Sequence, residues 1–340
     1  MIRKLTLQNF KAFEELELKL KNLSILAGCN SSGKSSLLQA IRLLEKQNTL
    51  EDFDGLHDFI RYDCSDFKIS CEDQIGQIVE FSYLRIGEKL SNNKIEDLVS
   101  YLSADRYGPR SVLRFGINGE VDTVGEYGEK LLDFLYQLDT SYMELKVPDS
   151  LVINGGTGIR SNLQEWLRGI SPGVEFDFSV EKNRNIGWTE FDKHKSIHAG
   201  FGLSYVLPLI ISVLVHASQV KRDNSQQIIL LVENPEAHLH PAGQTMMGRL
   251  LALGAACGLQ IIVETHSDHL LNGIRIAVKE KMLEAMDATI LYFKRNILET
   301  LVGGASYTSV EELHIDEYGM INDWPTGFFD ETEKNLLKLL

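Results

Sequence analysis

At 340 residues, 44% hydrophobic and 24% charged, the chain has the composition of an ordinary soluble globular protein and can bury a large core as one domain or two. Acidic residues exceed basic ones by 48 − 34 = 14, which argues against a basic footprint for nucleic acid over the whole surface. Its four cysteines lack C-x-x-C spacing, which argues against zinc and suits a reducing cytosol, and no apolar run is expected to reach the ~20 residues of a membrane span.

Ile2 to Gln8 alternates apolar and polar residues as a half-buried strand does, and the alternation begins so early that no signal peptide is expected. Glu15 to Leu20 alternates again, and Asn9-Phe10-Lys11-Ala12-Phe13 between them reads as a tight turn with two aromatic anchors. Leu23 to Ala27 is a short apolar run, hence a buried strand. It leads into Gly28-Cys29-Asn30-Ser31-Ser32-Gly33-Lys34-Ser35-Ser36, which fits G-x-x-x-x-G-K-[ST]. A helix is expected from Ser35 to Leu44, with Leu37, Leu38, Ile41 and Leu44 on one face. A strand before and a helix after are the setting in which this pattern holds a nucleotide. The two glycines free the backbone to turn its amides around a phosphate, and the helix N-terminus adds partial positive charge. Lys34 is expected to reach the β- and γ-phosphates, and the Ser35 hydroxyl to hold Mg²⁺. Helix-terminal amides would lower the pKa of Cys29, but a small residue that simply fits is the reading favoured for it.

Residues 48–97 show strand-like pieces at Phe67 to Cys71 and Gln77 to Arg85, and Leu98 to Ser103 reads as a core strand. The loop Ala104-Asp105-Arg106-Tyr107-Gly108-Pro109-Arg110 follows. Arg106, Arg110 and Arg114 are close enough in sequence for a local basic patch, whereas Lys182, Arg184, Lys193 and Lys195 read as solvated surface. Residues 126–190 mix helical stretches (Glu129 to Leu138, Asn162 to Leu167) with glycine turns, and no heptads are sustained, so no long coiled coil is expected.

From His198 to Ile210, glycines followed by Ser204 open an apolar helix, giving a second helix N-terminus suited to an anion or simply a capped core helix. Gln227 to Glu236 is a buried strand ending in carboxylates, as a Walker B element requires, with Glu233 placed for Mg²⁺. Ala237-His238-Leu239-His240-Pro241 precedes a helix from about Ala242 to Cys257. A strand at Gln260 to Glu264 then leads to Thr265-His266-Ser267-Asp268, and Asp268 begins another amphipathic helix. After a strand at Thr289 to Phe293, the remainder includes Asn322-Asp323-Trp324-Pro325-Thr326-Gly327-Phe328-Phe329-Asp330.

The segment Asn9 to Phe13 ahead of the P-loop resembles the opening of ABC-class ATPases of the SMC, RecF and OLD kind, and residues 319–330 resemble a short C-terminal domain of unknown function on one branch of OLD-like bacterial ATPases. The resemblance is strongest at residues 1–44, 198–275 and 319–330. It implies an α/β ABC-type ATPase fold with a P-loop, a mixed central sheet, a helical insertion and a small C-terminal appendage. The expected parts are an N-terminal lobe at 1–125, the insertion at 126–195, a C-terminal lobe at 196–300 and the appendage at 301–340. By the same resemblance, Gly202 and Ser204 lie in a signature motif that binds the γ-phosphate held by another subunit, and His266 touches the γ-phosphate in its own. A homodimer or higher oligomer through ATP and Mg²⁺ is implied, in the cytoplasm and without a membrane. The remainder is too short for the Toprim nuclease that OLD-like ATPases often carry, so the implied setting is a bacterial anti-phage or toxin-type system with a separate effector, nuclease or toxin. DNA binding is possible.

The catalytic acid departs from this pattern. ABC ATPases carry Asp-Glu where this chain has Glu233-Asn234, and an amide orients water but cannot accept its proton. Either Glu236 does that work, giving slow but real hydrolysis, or the protein is a nucleotide-gated scaffold with almost no turnover. A RecF-like DNA-repair ATPase is the other enzymatic alternative. His238, His240, His266 and His269 also have chelating spacings, but a zinc hydrolase would leave the order of the other motifs unexplained.

Overall fold

The computed structural model describes residues 1–46, 55–62, 64–85, 89–91, 93–116, 121–297, 306–322 and 324–339. Asp323 and the expected boundary at 300/301 lie outside the described residues. The first part of the chain forms β1 (Ile2–Phe10), β2 (Phe13–Lys19), β3 (Leu23–Gly28), α1 (Lys34–Glu45), β4 (Asp66–Asp73), β5 (Ile78–Leu84), β6 (Lys89–Ser91) and β7 (Leu98–Leu102). Next come β8 (Leu113–Arg114), α2 (Leu131–Gln137), α3 (Ile159–Ile170), β9 (Phe176–Glu181), β10 (Ile186–Phe191) and β11 (His194–Lys195). The rest is α4 (Phe201–Arg222), β12 (Ile228–Glu233), α5 (Pro241–Ala256), β13 (Gln260–Glu264), α6 (Asp268–Lys279), β14 (Ala288–Ile297), β15 (Ser306–Leu313) and α7 (Glu331–Leu339).

The central sheet runs β15-β14-β3-β13-β12-β7, parallel from β14 to β7, with β15 antiparallel at the edge. Its middle strands are apolar throughout because both faces are covered. Alternate side chains enter different cores: Ile25, Leu230 and Val263 face the layer of α3–α6, whereas Leu26, Leu231 and Ile262 face α1 and a second sheet. That second sheet, β2-β1-β4-β5-β6, is antiparallel.

Three features differ from expectation. Residues 126–195 carry not only α2 and α3 but also β9, β10 and β11, and β10 pairs with β8 in a small antiparallel sheet. Residues 306–313 are an edge strand of the central sheet rather than part of a separate appendage. Finally, α4, at 22 residues, is long and apolar enough to cross a membrane, yet 83% of its most apolar window is buried inside the protein, as suits a central core helix.

A buried side chain helps tie the two main sheets. Gln260, 2% exposed at the start of β13, accepts from the Ile2 amide (2.8 Å) and donates to the Ile2 carbonyl (2.6 Å). Gln260→Leu leaves both backbone groups buried without partners, so urea denaturation should show a loss of about 1–3 kcal/mol; unchanged stability would show that the tie carries no weight.

Candidate functional site

The carboxyl ends of β3, β13 and β12 converge at the turn into α1, the edge where open α/β sheets bind ligands. The turn requires glycine at Gly33, whose φ is +98° and whose Cβ would lie 2.7 Å from the Phe13 ring. Phe13 of the N-terminal turn thus packs directly under the loop. Lys34 is buried and folded back on its own loop, donating to the carbonyls of Gly28 (3.0 Å) and Cys29 (2.9 Å). Desolvation lowers its pKa, against the pull of Glu264, whose Oε1 is 3.6 Å from Nζ. The Ser35 hydroxyl donates to Glu264 Oε2 at 2.8 Å. Burial raises the pKa of Glu264, Ser35 and Lys34 oppose the rise, and the Glu233 carboxylate adds to it.

These groups border a cavity of about 350 Å³ lined by Lys11, Ala12, residues 30–36, Asn234, Glu264 and His266. The exposed His266 ring has a lowered pKa, from partial desolvation and from the Lys34 ammonium. Lys11, to which no motif assigns a role, donates to Gln39 Oε1 (2.6 Å) and lies over the Phe59 ring.

The Walker B acids are arranged otherwise than expected. Glu233 accepts from the Ala104 amide (3.1 Å) and faces Tyr101, whose phenol is pushed up by burial and by that carboxylate. The partner of Ser35 is therefore Glu264, from the strand between, and not Glu233. Asn234 turns out of β12 with φ +44°, donates its amide to the Glu264 carbonyl (2.9 Å), and buries an Oδ1 that has no hydrogen-bond partner. Glu236 does not line the cavity. It is 8% exposed behind His266, with Oε1 accepting the His266 amide (2.8 Å) and Oε2 unpartnered.

Arg106 is buried rather than part of a basic patch. It donates to the carbonyls of Leu102, Ser103, Glu233, Asn234 and Tyr205 and stacks over the Tyr205 ring at 4.1 Å. At the start of α4, Gly200 is exposed and Gly202 half-buried, beside a second cavity of about 410 Å³ that His198, His238 and His240 also line. Ser204 does not face this opening. It is 7% exposed, with its Oγ enclosed and unpartnered, because it lies on the inward side of the first turn.

A family model described as AAA ATPase domain matches residues 1–117 and 158–271. The chain belongs to this ATPase-domain family. A second model, described as a protein of unknown function (DUF3696), matches residues 283–339. No curated protein sequence matches the chain. Among solved structures, this ATPase domain is similar to an Smc head bound to the C-winged helix domain of ScpA, at 14% identity and TM-score 0.55, over 91% of this chain and 97% of that one. It is similar also to an Smc head domain with an extended coiled coil bound to the C-terminal domain of ScpA from Pyrococcus furiosus, at 12% identity and TM-score 0.55, over 99% of each chain. The recombination mediator protein RecF aligns at 14% identity and TM-score 0.49, over 86% of this chain and 95% of that one. The Smc heads give the ATPase domain its fold: the mixed α/β sheet of ABC-type ATPases.

Burial raises the pKa of Glu236 above the ordinary carboxylate value, against the hydrogen bond from His266. A carboxyl that holds its proton more tightly folded than unfolded stabilises the fold at low pH, and that contribution is lost as pH rises through the folded-state value. Glu236→Gln keeps an acceptor for the His266 amide and cannot ionise. Its stability relative to the parent, from urea denaturation, should increase between pH 4 and pH 7.5; a difference independent of pH would contradict the burial argument.

Proposed function

We propose that the chain binds ATP with Mg²⁺ in the P-loop cavity and hydrolyses it slowly. The observation that carries this reading is the convergence of residues 30–36, Asn234, Glu264 and His266 on one cavity at the carboxyl edge of the sheet. The loop amides and Lys34 bind the phosphates, and bound Mg²⁺ would neutralise charge on the transferring group and be held by hard oxygens such as that of Ser35. His266 lines the same cavity and donates a ring N–H to the terminal phosphate. Asn234 orients the attacking water but cannot take its proton, and Glu236 is held outside the cavity, so slow turnover is what this residue set supports.

Two copies then pair head-to-tail, each α4 N-terminus closing on the other's γ-phosphate. The exposed Gly200 and half-buried Gly202 suit this approach, and the backbone amides there take the role expected of Ser204. The pair acts in the cytoplasm as a switch for a separate effector, a nuclease or toxin, in bacterial phage defence. This last step rests on the likeness of residues 319–330 to the domain found on OLD-like ATPases and on the family match across residues 283–339.

One variant tests the nucleotide site and another the pairing. Lys34→Ala loses charge-assisted contacts worth about 1.5–3 kcal/mol each, so ATP affinity measured by calorimetry should fall at least about tenfold. Gly200→Asp puts a carboxylate at an open helix N-cap, which favours the helix but repels an incoming phosphate. Light scattering with a non-hydrolysable analogue should show a dimer for the parent chain and a nucleotide-bound monomer for Gly200→Asp. A parent chain that stays monomeric, or a variant that dimerises equally, rules out the sandwich.

A further inference from the structure

Glu264 is the one carboxylate at the P-loop to which no motif assigns a role. It ends β13, the strand between the P-loop strand and β12, and is 6% exposed. Both side chains that a P-loop turns toward phosphate and cation are engaged with it: the Ser35 hydroxyl at 2.8 Å and the Lys34 ammonium at 3.6 Å. Glu233 stands in register beside it on β12, but the Glu233 carboxylate is bonded to the Ala104 amide toward β7. The oxygens that adjoin Ser35 are those of Glu264.

A buried carboxylate here has a definite electrostatic consequence. A triphosphate entering the cavity brings several negative charges toward a group that already holds the lysine meant to neutralise them. The donor set fits the cation of the nucleotide. A serine hydroxyl and one or two carboxylates are hard oxygen ligands, and Mg²⁺ is commonly held by one or two carboxylates with the substrate's phosphates completing the shell. Among the described residues no group of three or more His, Cys, Asp or Glu side chains is placed to hold a metal ion, so the phosphates would have to complete this one.

We propose that Glu264 is a cation ligand of the nucleotide site, together with Ser35, and that it makes ATP binding conditional on the divalent cation. Without the cation, its charge repels the γ-phosphate and keeps Lys34 occupied. With the cation, the same charge becomes attractive and Lys34 is released to the phosphates. The inference rests on the ATP-binding reading of this same cavity, and the experiment separates the two.

Calorimetric titration of ATP is carried out with Mg²⁺ and with EDTA on the parent chain, Glu264→Gln, Glu264→Asp and Lys34→Ala. The parent chain should bind ATP far more tightly with Mg²⁺. Glu264→Gln, which keeps an acceptor for Ser35, should bind metal-free ATP about tenfold more tightly and lose about tenfold or more of the gain from Mg²⁺. Glu264→Asp, which keeps the charge, should retain most of that gain. Electron paramagnetic resonance of Mn²⁺ with ATP should show weaker cation retention by Glu264→Gln than by the parent chain. If Glu264→Gln keeps the full Mg²⁺ gain and Mn²⁺ affinity while Lys34→Ala loses ATP binding, the Glu264 assignment is overturned and the nucleotide site stands. If the parent chain binds no ATP in either buffer, both fall.

Discussion

Five backbone carbonyls, from three separate segments, converge on the guanidinium of Arg106: Leu102 and Ser103 at the end of β7, Glu233 and Asn234 at the end of β12, and Tyr205 near the start of α4. A buried cation is costly unless its donors are satisfied, and here carbonyl dipoles do this with the aromatic face of Tyr205. Desolvation lowers the Arg106 pKa, but guanidinium stays charged in proteins. The arrangement joins the turn that carries Asn234 into the P-loop cavity to the helix whose N-terminus borders the second cavity. A shift of the Asn234 turn on binding a ligand therefore cannot leave α4 where it was without breaking hydrogen bonds to a buried charge.

The second constraint is the sign of the charge around the P-loop. The chain carries a net charge of −14, and its nucleotide cavity is bordered by Glu264, with Glu233 on the adjacent strand. Burial raises the Glu264 pKa and lowers that of Lys34, so both members of the pair are pushed toward their neutral forms. A cation bound beside Glu264 would offset the repulsion between these carboxylates and an incoming polyanion. The hydrolysis proposed for such a site leans on placement and charge, because Asn234 lacks the basicity to take a proton from water and the Glu236 carboxylate, bonded to the His266 amide, does not line the cavity.

Much of this could be read from the residues because the decisive strands are buried on both faces. Leu23–Gly28, Ile228–Glu233 and Gln260–Glu264 are short apolar runs bounded by polar turns, which makes both their extent and their order in the site legible. The location of the P-loop and of His266 followed from them. Side-chain direction at strand and helix ends was not legible. Glu264 closes an apolar strand and gives no sign in sequence that it meets Ser35, which is 229 positions away. Ser204 follows two glycines, and only the phase of α4 shows that it turns inward. The pairing of β10 on β8 depends on contacts distant in sequence, which local periodicity does not encode.

Hydrogen–deuterium exchange with and without Mg²⁺-ATP reads the backbone at every convergent segment at once. Added protection is expected at residues 28–36, at 233–238 and at 264–267 together, with a smaller change carried through Arg106 to the start of α4 at 201–206. Exchange at all of these segments unchanged by saturating Mg²⁺-ATP, or protection confined to a region away from the P-loop, would contradict ATP binding in the P-loop cavity.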